Sequence, residues 1–341
     1  VTLQFLTDLP IEALPVALTG GESFVLGGSA IGQLPPGLAP GWPVQRVSAR
    51  LLGKAQDSLQ EIWRCNAPAI SGEFDGIVWR RVDDLLFGVL ELDEADFAAT
   101  ENASALQAAS EAAYRRIFRL LDTQKLPHLW RLWNYIAEIN REVNGLERYR
   151  QFNVGRQDAF LEFKRGSTGN VPAACAIGLT GGALSIAFMA GATPAVPVEN
   201  PRQISAYNYP NEYGPRSPTF SRAALVYPPG QEILFISGTA SIVGHQTVHP
   251  GDVIGQCHEV LVNLAAVIAE ANRQCRSAAY GLTELSYRVY LRHADDFAAV
   301  RDTLVSVLGA SAELVYVEAD ICRQDLLIEI EAMASHVLGN G

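Results

Sequence analysis

Cysteine is scarce and unpatterned in this chain. Five occur among 341 residues, Cys65, Cys175, Cys257, Cys275 and Cys322, an odd number with no CxxC pair. That excludes a disulfide framework and a zinc ribbon and predicts reduced thiols, as in a cytoplasmic protein. Basic charge is short as well. Lys and Arg total 26 against 37 Asp and Glu, a net charge of -11, which argues against a nucleic-acid partner because phosphate contacts need a basic face. A few buried Arg residues still suffice for a small anion, so net charge leaves an anionic substrate open.

Long apolar runs are missing too. None approaches the roughly 20 residues that cross a bilayer, and no signal peptide opens the chain, so no membrane partner is expected. The segment 171–191 comes nearest, but its Gly, Pro and Thr content reads as a pair of buried strands. GLTGG at 178–182 lacks a following GK[ST], so it is read as a tight turn and not a phosphate cradle. There is no GxSxG elbow. His245 and His249 stand four apart, but the surrounding SIVGHQTVHPGD carries Gly244, Pro250 and Gly251 and reads as a loop, so no metal is assigned.

What is present is an ordinary globular composition, 48% hydrophobic and 18% charged, arranged as a duplication. QEILFISGTASIVG (231–244), HEVLVNLAAVIAEANR (258–273), LTELSYRVYLRHADDFAAVRDTLVSVL (282–308) and LLIEIEAMA (326–334) read as strand, helix, strand, helix, strand. VDDLLFGVLELDE (82–94), ASEAAYRRIFRLLDTQ (109–124), LPHLWRLWNYIAEIN (126–140) and GALSIAFMA (182–190) follow the same plan upstream. Aligning Ile186 with Ile330 and Met189 with Met333 sets Ser185 opposite Glu329, so only the second copy keeps a carboxylate there. The helix at 109–124 shows one apolar face in Tyr114, Ile117, Phe118 and Leu121; Leu261, Leu264, Ile268 and Ala271 do the same in 258–273. Residues 1–80, rich in Gly and Pro, read as strands and loops. Between the copies, 191–222 holds six prolines with Tyr207, Tyr209 and Tyr213, and a loop of that length and aromatic content is expected to line a pocket.

The motifs SGTAS, HEVLVNLAAVIAEAN and LLIEIEAMA, in that order, resemble the YjgF-like (Rid) fold over about 222–336. With YRQFNVGRQDAF at 149–160, GPRSPTFSRA at 214–223 and the final IEIE, the chain from about residue 45 onward resembles the chorismatase family. The resemblance implies an α/β protein of two fused YjgF-like units, each a mixed β-sheet with helices packed on one face. It divides the chain into a degenerate unit with its strand and loop extension at 1–190, a site loop at 191–222 and a catalytic unit at 223–341. It also implies a pyruvate-releasing enzyme that cleaves the enolpyruvyl ether of chorismate without a cofactor. YjgF-like proteins commonly form trimers with sites between subunits, so two units in one chain imitate part of such a trimer; a monomer or small homo-oligomer is expected.

Chorismate is a dianion, and the planar guanidinium of Arg suits carboxylates. The resemblance maps carboxylate-binding positions onto Arg156 and Arg222 and hydrogen-bonding positions onto Tyr149 and Tyr209, with Arg216 in GPRS a further contact. Spacing alone would make these Arg residues surface or structural pairs. In a period-two strand Glu329 and Glu331 share one face, ordinarily the solvent side. In the family the first of these faces the pocket as the catalytic acid, the role expected of Glu329. Cys322 matches a pocket Cys of the hydroxybenzoate-forming members, whereas Ala240 leans toward the hydrolytic members, which yield a dihydroxycyclohexadiene carboxylate. Hydroxybenzoate, 3-hydroxybenzoate first and 4-hydroxybenzoate second, is the favoured product. Two other readings stay open. The imine and enamine deaminases of the Rid family carry an Arg where this chain has Leu314, and other YjgF-like proteins are non-catalytic binding modules.

Overall fold

The computed structural model describes residues 2–10, 21–34, 40–100, 103–166 and 168–339. The parts of the 1–80 expectation that fall on 11–20 and 35–39 lie outside the described residues. Five strands come first: β1 (Leu3–Leu9), β2 (Val25–Gly32), β3 (Val44–Val47), β4 (Arg50–Leu52) and β5 (Ser58–Cys65). Four of them pair in the order β1-β5-β2-β3.

The first unit then runs β6 (Ile70–Phe74), β7 (Ile77–Val82), β8 (Leu85–Leu92), α1 (Ala105–Gln124), β9 (His128–Ala137), the short ribbon β10 (Glu142–Val143) and β11 (Leu146–Glu147), α2 (Arg148–Glu162), β12 (Ala173–Leu179) and β13 (Leu184–Gly191). The second runs β14 (Val196–Val198), β15 (Ala223–Val226), β16 (Gln231–Ala240), the ribbon β17 (Ile242–Val243) and β18 (Gln246–Thr247), α3 (Val253–Asn272), β19 (Ser286–Leu291), α4 (Phe297–Leu308), β20 (Glu313–Glu318), β21 (Asp320–Ile321) and β22 (Ile328–Val337).

The two seven-stranded sheets have one plan. Their orders are β21-β12-β9-β13-β8-β7-β6 and, read the same way, β4-β20-β19-β22-β16-β15-β14. In each, the second and third strands are parallel and the third and fourth antiparallel. In each, the outermost strand comes from elsewhere in the chain: β21 closes the first sheet and β4 the second. The expected duplication is therefore a duplication of whole YjgF-like sheets, with α1 and α2 on one and α3 and α4 on the other. The four-stranded sheet repeats the inner part of the plan, with β3 parallel to β2 and then antiparallel β5 and β1, but without an α-helix among the described residues.

Each sheet–helix layer has its own apolar core. Leu106, Ala113, Ile117, Phe118 and Leu121 of α1 pack on the first sheet, and Val260, Leu264, Val267 and Ile268 of α3 on the second. Ser104 caps α1 by accepting from Gln107 N at 3.1 Å, and Asp252 caps α3 by accepting from Gly255 N at 2.9 Å. The inner faces of all three sheets meet in a further core around Leu26, Trp63, Phe87, Met189, Ile233 and Phe235.

The structure departs from the sequence reading in several places. Helix α2 went unread because its buried face carries Arg148, Gln151, Asn153 and Arg156 beside Phe152 and Phe160, which erases the apolar period. Strand β20, a short run after a helix, was likewise unread. Within 191–222, Val196–Val198 is no loop but the edge strand of the second sheet. The segment 171–191 is indeed two buried strands, yet they do not pair, because β9 lies between them. Helix α3, and not 171–191, is the segment long and apolar enough by composition to cross a membrane; about half of it is buried on the second sheet.

Helices α1 and α2 approach closely at Gly155, where a Cβ would overlap the Gln107 carbonyl oxygen. Gly155→Ala should therefore lower stability by about 1–3 kcal/mol in urea denaturation, although Ala is the better helix former. Unchanged or increased stability would show that this contact relaxes freely.

Candidate active site

Strand β22 places Glu329 between β16, where its partner is Ala240, and β19, where its partner is Tyr290. Ile328 and Ile330 point into the helix-covered core, which turns Glu329 and Glu331 to the opposite face. That face is not solvent: the first unit covers it, and the two carboxylates are only 3% and 5% exposed. Gly238 admits the Glu329 side chain, since a Cβ there would overlap Glu329 Oε1. Burial, and then the neighbouring Glu331, push the Glu329 carboxyl up to about 8; Arg131, Arg222 and a hydrogen bond from Cys322 oppose the rise without cancelling it.

Glu329 opens into a cavity of about 580 Å³ between the two units. Tyr149 from α2, Tyr209 and Arg222 from the central segment, Ala240 from β16, and Cys322 also line it. The structure thus brings together six of the eight residues singled out in the sequence. Arg222 donates from Nη2 to the Tyr209 hydroxyl at 2.7 Å and to Ile204 O at 2.8 Å, while its buried Nε has no partner. Burial raises the Cys322 thiol, and Glu329 beside it raises it further, so this Cys is a neutral thiol and not a nucleophilic thiolate. The Tyr149 phenol is likewise raised by burial and neutral.

The remaining two residues lie elsewhere. Arg156 is 1% exposed and does not line the cavity; it is an electrostatic neighbour of Tyr149 and Tyr114 and donates to Asn153 Oδ1 at 2.7 Å, with Nε unpartnered. Arg216 is an exposed side chain paired with Asp158 of α2 at 3.1 Å, outside the cavity lining, so it fastens the central segment to the first unit.

Sequence reasoning missed Arg323. Its guanidinium lies 4.2 Å over the Tyr213 ring and 5.3 Å over the Tyr209 ring. Nη1 donates to His245 O at 2.8 Å, while the buried Nη2 has no partner. The Arg follows Cys322 directly, but nothing in its spacing marks it; only folding places it beside the tyrosines of the central segment. Arg150, Arg222 and Arg323 line the cavity, and guanidinium groups suit the carboxylates of a small dianion. His245 contacts the Tyr213 hydroxyl at 3.2 Å, and among the described residues no group of three or more His, Cys, Asp or Glu is placed to hold a metal.

A buried carboxyl, raised above its ordinary value, faces a cavity between two YjgF-like units. Residues 61–190 match the family model described as chorismatase FkbO/Hyg5-like, N-terminal. A curated chorismatase of Streptomyces rapamycinicus is 40% identical over 87% of this chain and 88% of its own length. A 3-hydroxybenzoate synthase of Streptomyces hygroscopicus is 36% identical over 87% of each chain. A chorismatase crystal structure superposes with a TM-score of 0.83 and 35% identity over 98% of both chains. The chain belongs to the chorismatase family and is an enzyme of that family.

The raised acid has a consequence for stability. Between the usual carboxylate value of 4.5 and about 8, the unfolded chain has released the Glu329 proton while the folded chain still holds it. This favourable contribution is complete below 4.5 and is lost as pH rises through 8. Glu329→Gln carries no such penalty, so its melting temperature should gain on the native protein progressively across that range. A gap that stays constant with pH would mean that Glu329 is not raised.

Proposed function

We propose that this enzyme cleaves the enolpyruvyl ether of chorismate, with Glu329 as the acid, releasing pyruvate and 3-hydroxybenzoate. The observation that carries the reading is a buried carboxyl, raised by burial and with no ion pair of its own, facing a cavity that Arg222 and Arg323 also line. Protonating the methylene carbon of an enol ether needs an acid that still holds its proton near neutral pH. Proton transfer from Glu329 leaves its carboxylate beside an oxocarbenium carbon, two opposite charges that stabilise each other. Arg222 and Arg323 are suited to the two substrate carboxylates, with Tyr209 and Tyr149 as hydrogen-bonding neighbours. Pyruvate release with chorismate as the only substrate is the primary test, and no release would remove the reading. Glu329→Gln should lose at least ~10²-fold in turnover with modest change in binding. Arg222→Ala should weaken chorismate binding by about 2–5 kcal/mol, with Lys restoring only part. Near-native turnover in the first variant or near-native affinity in the second would remove the assigned role.

Two routes leave the cation. If the neighbouring ring hydroxyl displaces pyruvate, the ring aromatises and chorismate becomes hydroxybenzoate plus pyruvate with no net water. If a water adds to the cationic carbon, the ether opens to pyruvate and the ring diol, consuming one water. The Cys322 thiol is a neighbour of Glu329 on the cavity wall and takes up space beside it, which disfavours a water there, since a water needs room and two or more polar partners. The relative named 3-hydroxybenzoate synthase supports the same choice. Ala240, the β16 partner of Glu329, is the feature that favours the diol. Chromatography of the native reaction should give mainly hydroxybenzoate, with Cys322→Ala moving product toward the dihydroxycyclohexadiene acid. Diene acid alone from the native enzyme would transfer the assignment to the hydrolytic type.

A further inference from the structure

Glu329 and Glu331 are two buried carboxylates on one strand face, and the structure treats them unequally. Glu331 accepts from Arg131 of β9, in the other unit, and from the Tyr290 hydroxyl at 3.0 Å, and it lies 3.1 Å from Arg288 Nη1. Arg288 is paired in turn with Glu61 of the four-stranded sheet. The cluster therefore holds two cations, Arg131 and Arg288, against two anions, Glu61 and Glu331. Its ion pairs end on Glu331 and Glu61, and none ends on Glu329.

We infer that Arg131 and Glu331 are positioning residues: they form a neutral buried pair that leaves Glu329 the unpaired carboxylic acid, so that the single proton shared by the two side chains resides on Glu329. This rests on the reading of Glu329 as the acid and says what makes it one. An acceptor with three donors around it, two of them cationic, is a carboxylate. A second carboxylate two residues away has no cation of its own, so burial first and the charge of Glu331 second oppose its ionisation. The groups facing Glu329 complete the account. Glu331 lies on its own strand, Tyr290 on β19, Cys175 on β12, Tyr149 on α2 and Cys322 on the segment before β22, with Arg131 and Arg222 the cations that reach it. The tyrosines and both thiols are held neutral by burial. Arg222 spends Nη2 on Tyr209 and Ile204 and contacts the acid through no ion pair.

Three variants read this through the alkaline limb of kcat against pH, where loss of the acid's proton ends turnover. Glu331→Gln frees Arg131 beside Glu329 and should move the limb down by roughly one to three pH units. Arg131→Gln leaves Arg288 alone against Glu61 and Glu331 and should move the limb up or, where the proton now divides between Glu329 and Glu331, lower the plateau. The double variant removes a neutral pair and should return the limb close to its native position, a cancellation that loss of packing does not produce. Arg131→Lys keeps the charge and should also keep the limb. Carboxyl ¹³C titration of the native protein reads the same property without substrate. The midpoint abolished by Glu329→Gln should be the higher of the two. Assignment of the higher midpoint to Glu331, or single variants that leave the limb and the double variant alike unmoved, overturns the inference. A protein that does not release pyruvate from chorismate fails the functional reading instead, while the titration still decides where the proton lies.

Discussion

The Arg131–Glu331 ion pair joins one unit to the other at the point where three sheets converge. Breaking a buried pair by removing one partner costs about 3–5 kcal/mol, because the survivor is left charged in a dry setting. Here the charge is shared further, through Arg288 to Glu61 and through Tyr290 to Tyr135, whose hydroxyls meet at 2.8 Å. Each sheet therefore supplies a residue that another sheet neutralises. That mutual dependence, reinforced by β4 and β21 crossing to complete each other's sheets, fixes the angle between units and so the cavity they enclose.

The pairing of Tyr135 with Tyr290 also measures the symmetry. Tyr135 is the β9 partner of Ser185, and Tyr290 is the β19 partner of Glu329. Equivalent tyrosines thus touch across the axis relating the units, which places Ser185 and Glu329 in corresponding positions. The corresponding cleft behind Ser185 is taken up by Gln45 of β3, whose amide donates to Ser185 Oγ at 3.2 Å and to Trp133 O at 3.1 Å. A carboxylate at 185 would face an amide and no cavity. One unit could lose its acid without loss of shape because the four-stranded sheet filled the place where a ligand would sit.

Much of this was legible before the structure. The repeat, the strand character of 126–140, the buried strands of 171–191 and the inward turn of Glu329 all follow from periodicity or from residue-by-residue resemblance. What escaped did so for physical reasons. Helix α2 hides Arg and Asn on its buried face, and apolar period is the signal by which helices are read. Glu331 looked like the solvent side of a strand because no strand pattern reveals that another unit covers that face. Gly238 carries no mark until the Glu329 side chain is seen to need its missing Cβ. Arg323 is an ordinary basic residue in sequence, and only the fold sets it between two tyrosines and a carbonyl.

The covered face at Glu331 depends on the contact between units. A duplicated fold that retains one acid has to draw its supporting groups from the copy that lost its own. Tyr149 and its neighbour Arg156 come from α2, and Arg131 from β9, all in the unit without the carboxylate. The apparently silent half is then the source of the polar wall and of the countercharge. Specialisation of one site and conversion of the other half into its environment thus follow from electrostatics in a shared, water-poor junction.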